Sequence, residues 1–151
     1  MIVVNGKSGD VYAVKPGGSG DVTSSRMVWH APRRGGRDMS SPMVVGNYLF
    51  ITSMSGIASM YEAQTGKRLW TERLEGQFSA SPLEANGLIY INNEEGLTYV
   101  IKPGPSLGVA AKNTLGDRSD EIFRAAITPD EDRLYIRSTR ALYCVDSNTT
   151  E

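Results

Sequence analysis

A single cysteine and a single histidine among 151 residues exclude more chemistry than any motif in the chain suggests. Cys144 has no second cysteine to pair with, so no internal disulfide forms and cysteine usage says nothing about redox compartment. With His30 alone, neither a multi-histidine zinc site nor a helical His-Glu-x-x-His pair can be assembled. No apolar run approaches the roughly 20 residues that span a bilayer. The opening Met1-Ile2-Val3-Val4-Asn5-Gly6 lacks the length and basic flank of a signal peptide and reads as a strand entered directly. Charge of one sign is missing too: 16 Lys and Arg against 17 Asp and Glu leave a net charge of -1. Such a chain has no strong field to draw in nucleic acid or an anionic membrane. Helical periodicity of 3.6 is not found anywhere.

What is present is a repeat. Hydrophobic content of 40% with 22% charged residues is that of a globular domain, not a disordered one. Four segments share an apolar strand, a short polar turn and a second strand. They run from Ile2 to Val14, Leu49 to Tyr61, Ile89 to Ile101 and Leu134 to Val145. Taking Val11, Ala58, Thr98 and Leu142 as equivalent gives intervals of 47, 40 and 44 residues, the longest containing a Gly/Ser-rich insertion, Gly17 to Ser25. Trp29 and Trp70 stand 41 apart, and Ser41-Pro42 and Ser81-Pro82 stand 40 apart. Three columns at one period predict a repeat architecture.

Turn residues divide each repeat. In the second, Ser41–Val45 is a first strand ended by Gly46-Asn47, followed by strands at Tyr48–Thr52, Ile57–Ala63 and Lys67–Leu74. Asn86-Gly87 occupies the hairpin position in the third repeat, a strong two-residue turn signal. Four antiparallel strands at a period near 40 predict an all-β fold: a β-propeller, here a partial arc of about four blades, with repeats at approximately 1–36, 37–76, 77–118 and 119–151. A lone sheet cannot bury both faces, so the nearly continuous apolar run Tyr48–Ile51 implies cover from neighbouring blades. The first repeat lacks an innermost strand and the last an outermost one, which predicts two open edges. A C-terminal part of a longer propeller, whose N-terminal strand completes the last blade, is the expected setting. The remaining blades of that parent, or another copy of the chain, are the expected neighbours of the open edges.

The segments Tyr61-Glu62-Ala63-Gln64-Thr65-Gly66-Lys67-Arg68-Leu69-Trp70 and Gly87-Leu88-Ile89-Tyr90-Ile91 resemble the PQQ-like repeat: a glycine turn, a Thr-Gly turn, then tryptophan on the outer strand. That repeat occurs in quinoprotein dehydrogenases, in BamB-type outer-membrane assembly lipoproteins and in large secreted bacterial proteins. The resemblance weakens at the ends, where Ala111 takes the tryptophan position and Ala126-Ile127 replaces Ser-Pro. It implies a periplasmic, secreted or cell-surface location. The quinone, calcium and adjacent-cysteine features of the dehydrogenases do not map onto this chain. The expectation is therefore a non-catalytic binding or interaction scaffold with no cofactor and no metal. A fragment of a PQQ-dependent dehydrogenase and a BamB-like assembly factor are the alternatives.

Propellers present ligands on the face built by loops entering inner strands and by turns between second and third strands. Those loops are His30–Ser40, Glu75–Ala80 and Gly116–Arg124, with turns at Asn5–Gly9, Ser53–Gly56 and Asn92–Gly96. Arg33, Arg34, Arg37 and Asp38 would suit a carboxylate, sulfate or phosphate through guanidinium forks, with a solvated loop holding a local Arg–Asp pair as the plainer reading. Asn92, Asn93, Glu94 and Glu95 offer oxygens for a hard cation, yet the Asp-x-Asp-x-Asp spacing is missing and an exposed turn is the plainer expectation. Asp120, Glu121 and Arg124 read as a partner contact or a surface ion pair. The candidate site set is thus Arg34, Arg37, Asp38, Asn92, Asn93, Glu94, Glu121 and Arg124, for a protein or carbohydrate ligand. Cys144 falls in an apolar column with Ala13, Met60 and Val100 and is expected to be buried and inert. His30 reads as a loop or structural residue. Trp29 and Trp70 read as blade packing, and Gly17-Gly18-Ser19-Gly20 as a flexible hairpin loop without a helix after it.

Overall fold

The computed structural model describes residues 2–5, 9–33, 38–116 and 120–146. Among them are fourteen strands in four antiparallel sheets. The first sheet holds β1 (Ile2–Asn5), β2 (Val11–Val14) and β3 (Met27–Ala31). The second holds β4 (Met43–Val45), β5 (Tyr48–Thr52), β6 (Ile57–Glu62) and β7 (Arg68–Arg73). The third repeats this order with β8 (Leu83–Ala85), β9 (Leu88–Asn92), β10 (Leu97–Lys102) and β11 (Gly108–Thr114). The fourth comprises β12 (Thr128–Asp130), β13 (Arg133–Arg137) and β14 (Leu142–Asp146). Each sheet is a meander whose strands pair in sequence order, the blade of a β-propeller.

Turn chemistry sets the register. Asn86 (φ 52°) and Gly87 (φ 74°) both adopt the left-handed backbone that a two-residue hairpin matching strand twist requires. The third strand is bulged where it meets the outer strand, between Ala13 and Val14, Met60 and Tyr61, and Val100 and Ile101. These bulges recur at the repeat interval and re-aim the outer strand by adding local twist.

The core lies between blades, not within them. Phe50, Ala58, Met60 and Trp70 of the second blade pack against Ile89, Ile91, Leu97, Tyr99 and Ile101 of the third. Val11, Ala13, Trp29 and Ala31 of the first pack against Leu49, Ile51 and Tyr61 of the second. Burying each large side chain here contributes about 1.5–3 kcal/mol. The two tryptophans occupy equivalent surroundings: Trp29 Nε1 donates to Ala63 O at 2.9 Å and Trp70 Nε1 donates to Gly104 O at 3.1 Å, each acceptor 34 residues on. The Ser-Pro column has a matching cause, since Ser41 N donates to Ser81 Oγ at 3.0 Å across adjacent inner ends.

Two expectations are corrected. Within the Gly/Ser-rich insertion, Thr23–Arg26 closes one helical turn, α1, before β3. Asp21 Oδ1 accepts from Thr23 N and Val22 O accepts from Arg26 N, both at 2.9 Å, so local hydrogen bonds close the turn without an apolar stripe. Cys144 is exposed, not buried. Its counterparts Ala13, Met60 and Val100 are covered by an outer strand and a following blade. The fourth sheet has neither among the described residues, so the same column faces outward.

Candidate functional site

The loop face is a ladder of backbone hydrogen bonds that repeats from blade to blade. Phe78 N donates to Met54 O at 3.0 Å, and its counterpart Phe123 N donates to Glu94 O at 2.9 Å. Glu94 N donates to Gln77 O at 2.7 Å, and Thr139 N donates to Ile122 O at 3.0 Å. The loops before the third and fourth blades are therefore each clamped between the turns of the two blades they join.

Side chains reinforce the ladder. Asn93 is wholly buried: Nδ2 donates to Glu75 O at 3.0 Å, while Oδ1 accepts from Leu97 N at 2.8 Å and Glu95 N at 3.1 Å. Ser53 and Ser138 close the same turn through their hydroxyls, which accept from Ile57 N and from Ala141 N. Asn92 is also wholly buried, with Nδ2 donating to Ala125 O at 3.5 Å. The turn at residues 92–95 is thus no exposed loop. Its two asparagines tie the third blade to the loops on either side, Asn93 through Glu75 O and Asn92 through Ala125 O. Asn92 Oδ1 has no hydrogen-bond partner among the described residues.

Glu94 is the hub. One carboxylate oxygen accepts from Ser79 Oγ, and the other accepts from Arg124 Nε at 3.2 Å and Nη2 at 3.1 Å. Ser79 and Arg124 stand at equivalent places in successive loops, so one carboxylate bridges both. Partial burial pushes the Glu94 carboxyl up, but the hydrogen bonds from Ser79 and Arg124, with the Arg124 charge, outweigh it and hold the group below its ordinary value.

The acidic pair at the fourth blade does not meet Arg124. Asp120 accepts from Arg140 Nη2 at 2.6 Å, and Glu121 accepts from the Tyr143 hydroxyl at 2.6 Å, which raises the phenol above its usual range. The sequence reading passed over Ser79, Arg140 and Tyr143. Alignment of the loops by repeat register is the signal that finds Ser79.

At the first interface Arg33 and Asp38 form an ion pair with both side chains buried, so this pair is not a solvated one. Nearby, Asp10 accepts from the Arg33 backbone N–H at 2.9 Å and contacts His30 Nε2 at 2.7 Å; the first contact, then the second, lowers its carboxyl. His30 stacks on Tyr12 with centroids 4.7 Å apart. Arg34 and Arg37 lie outside the described residues. Among the described residues, no three His, Cys, Asp or Glu side chains converge as a metal ion requires.

Comparison with known proteins bears on the fold and the family. None of the curated proteins matches the chain in sequence. BamB from Moraxella catarrhalis superposes with a TM-score of 0.74 at 16% identity, over 95% of this chain and 42% of that one. BBS1N, crystallised in complex with ARL6DN, gives 0.69 at 12% identity over 99% and 43%. A europium-containing methanol dehydrogenase gives 0.51 at 15% identity over 70% and 21%. The chain spans less than half the length of each, and at these identities the likeness is one of fold. The family profile of the outer membrane protein assembly factor BamB matches residues 2–103, so this chain of stacked four-stranded repeats belongs to the BamB family of PQQ-like repeat β-propellers.

Proposed function

We propose that the chain acts as a non-catalytic propeller scaffold that binds a protein partner on its loop face, in the periplasm, in secreted form or at the cell surface. The observation that carries this reading is the Glu94 bridge. It ties the loops of successive blades into one preorganised surface while leaving the Arg124 side chain 66% exposed; Arg140, on the turn that bonds the same loop, is 57% exposed. A rigid face loses little entropy on binding, and arginine is enriched at protein interfaces. BBS1N, of similar fold, holds a protein partner in its crystal, and family membership favours a role in outer-membrane protein assembly as the specific form of the scaffold reading. That step rests on analogy between folds.

Crosslinking to envelope proteins tests it, comparing the wild type with R124A/R140A. Arg140 sits in an exposed ion pair worth about 0–1 kcal/mol. Arg124 is the exposed member of its pair with the largely buried Glu94, so R140A alone is the milder variant and a melting curve checks that the double variant is folded. A specific adduct lost in the variant is the expected result; identical adducts from both chains refute the loop-face reading. Melting with PQQ and calcium addresses the dehydrogenase alternative, since ligand at a hundred times its Kd adds about 2.7 kcal/mol. No shift is expected.

A further inference from the structure

The repeat breaks its own rule at one interface. A column of aromatic residues, Tyr12, Tyr99 and Tyr143, follows directly on the Val11, Thr98 and Leu142 column, but the second blade has Ser59 there. The loop partners break with it. Phe78 packs on Tyr99 at 6.2 Å between ring centroids, and Phe123 packs on Tyr143 at 5.8 Å. The corresponding loop position before the second blade is Asp38, 40 residues ahead of Phe78. Both members of the ring pair that fills the other two interfaces are therefore replaced by small or charged groups.

A cleft of about 340 Å³ opens between the first and second blades, lined by Pro32, Arg33, Ser59, Tyr61, Arg68 and Thr71 together with Ile57. Ligand pockets span about 300–1,000 Å³. Tyr61 is 1% exposed and its hydroxyl has no hydrogen-bond partner among the described residues. Val14, Ile101 and Val145 hold the same column elsewhere, so this hydroxyl is not required by the blade. Leaving it unsatisfied is destabilising. Arg33 is neutralised by Asp38, whereas the exposed Arg68 guanidinium has no hydrogen bond or ion pair with another described residue. Ser59 Oγ and Thr71 Oγ1 are hydrogen-bonded at 2.9 Å and add a polar wall. A buried ion pair where neighbours carry apolar rings does little for stability, and departures from local consistency gather at functional sites.

We infer that this cleft binds a small single-ring aromatic carboxylate. The ring occupies the space beside Ser59 that Tyr99 fills at the next interface, the carboxylate faces Arg68, and Tyr61 donates its hydroxyl to the ligand. This site is separate from the Glu94–Arg124 face, and neither reading depends on the other.

Calorimetric titration with 4-hydroxybenzoate is the test, with 4-hydroxybenzyl alcohol as the uncharged analogue. The wild type should bind the acid saturably at one site and the alcohol at least about tenfold more weakly, the loss of one charge-assisted hydrogen bond. S59Y restores the repeat residue and should abolish binding. R68Q should weaken it about tenfold for the same reason, and Y61F should weaken it with no loss of thermal stability. Should S59Y fail to fold, R68Q, Y61F and the alcohol still decide the matter. No saturable binding at millimolar acid, equal affinity for the alcohol, or affinity unchanged in the folded variants overturns the assignment.

Discussion

Trp29 and Trp70 make the stacked-blade account testable as a matched pair. Each ring is 8% exposed, each indole donates to a carbonyl 34 residues ahead, and each sits on an outer strand facing the next blade. Replacing either by phenylalanine removes that hydrogen bond, worth about 0.5–1.5 kcal/mol net. The smaller ring adds roughly 0.8 kcal/mol for each buried methylene equivalent withdrawn. The expected cost is about 1.5–2.5 kcal/mol for W29F and for W70F alike. Replacement by alanine should cost about 3–5 kcal/mol. Against a total of about 5–15 kcal/mol this is a large fraction, well within reach of urea unfolding. Far-UV circular dichroism is the suitable probe, because removing a tryptophan alters fluorescence directly. The same slope m with a lower midpoint shows a change in stability alone. If W70F costs as expected and W29F costs less than about 0.5 kcal/mol, the two interfaces are not equivalent and the reasoning fails.

Two further outcomes follow from local geometry and charge. Gly66 has φ 72° and a Cβ there would lie 2.5 Å from the Trp29 ring, whereas Gly87 has φ 74° and open space around it. Both alanine variants bear left-handed strain of about 1–2 kcal/mol, but G66A must also displace the indole and should melt clearly below G87A; equal melting refutes that contact. Glu94, held below its ordinary value of 4.5, contributes stability that is fully present above that pH and is lost as pH falls through the folded value. E94Q should therefore melt lower than wild type at neutral pH and show a shallower fall on acidification; parallel pH profiles refute the bridge.

Legibility from sequence varied with the range of the cause. Strands such as β5 and the hairpin at Asn86-Gly87 were readable because pattern and turn residues act within a few positions. The equivalence of Trp29 with Trp70 was readable because a repeat copies its packing. Asn93 was not, since its amide is used by the backbone of Glu75, a contact that exists only once two blades are side by side. Glu94, Glu121 and Arg124 were picked out as charged loop residues, but not their partners: sequence distance hid that Glu94 meets Arg124 while Glu121 meets Tyr143.

The sequence by itself determined the repeat length, the strand and turn positions and the all-β propeller class, because these depend on periodicity and on residues acting locally. Only the tertiary structure decided which equivalent positions are covered and what each loop charge touches. Cys144 shares a column with three buried residues yet faces outward, since burial depends on a neighbouring sheet and not on the residue. Ser59, unremarkable in a linear reading, leaves a cleft where its counterpart Tyr99 packs on Phe78 at the next interface, a contact between a blade and a loop that exists only on folding.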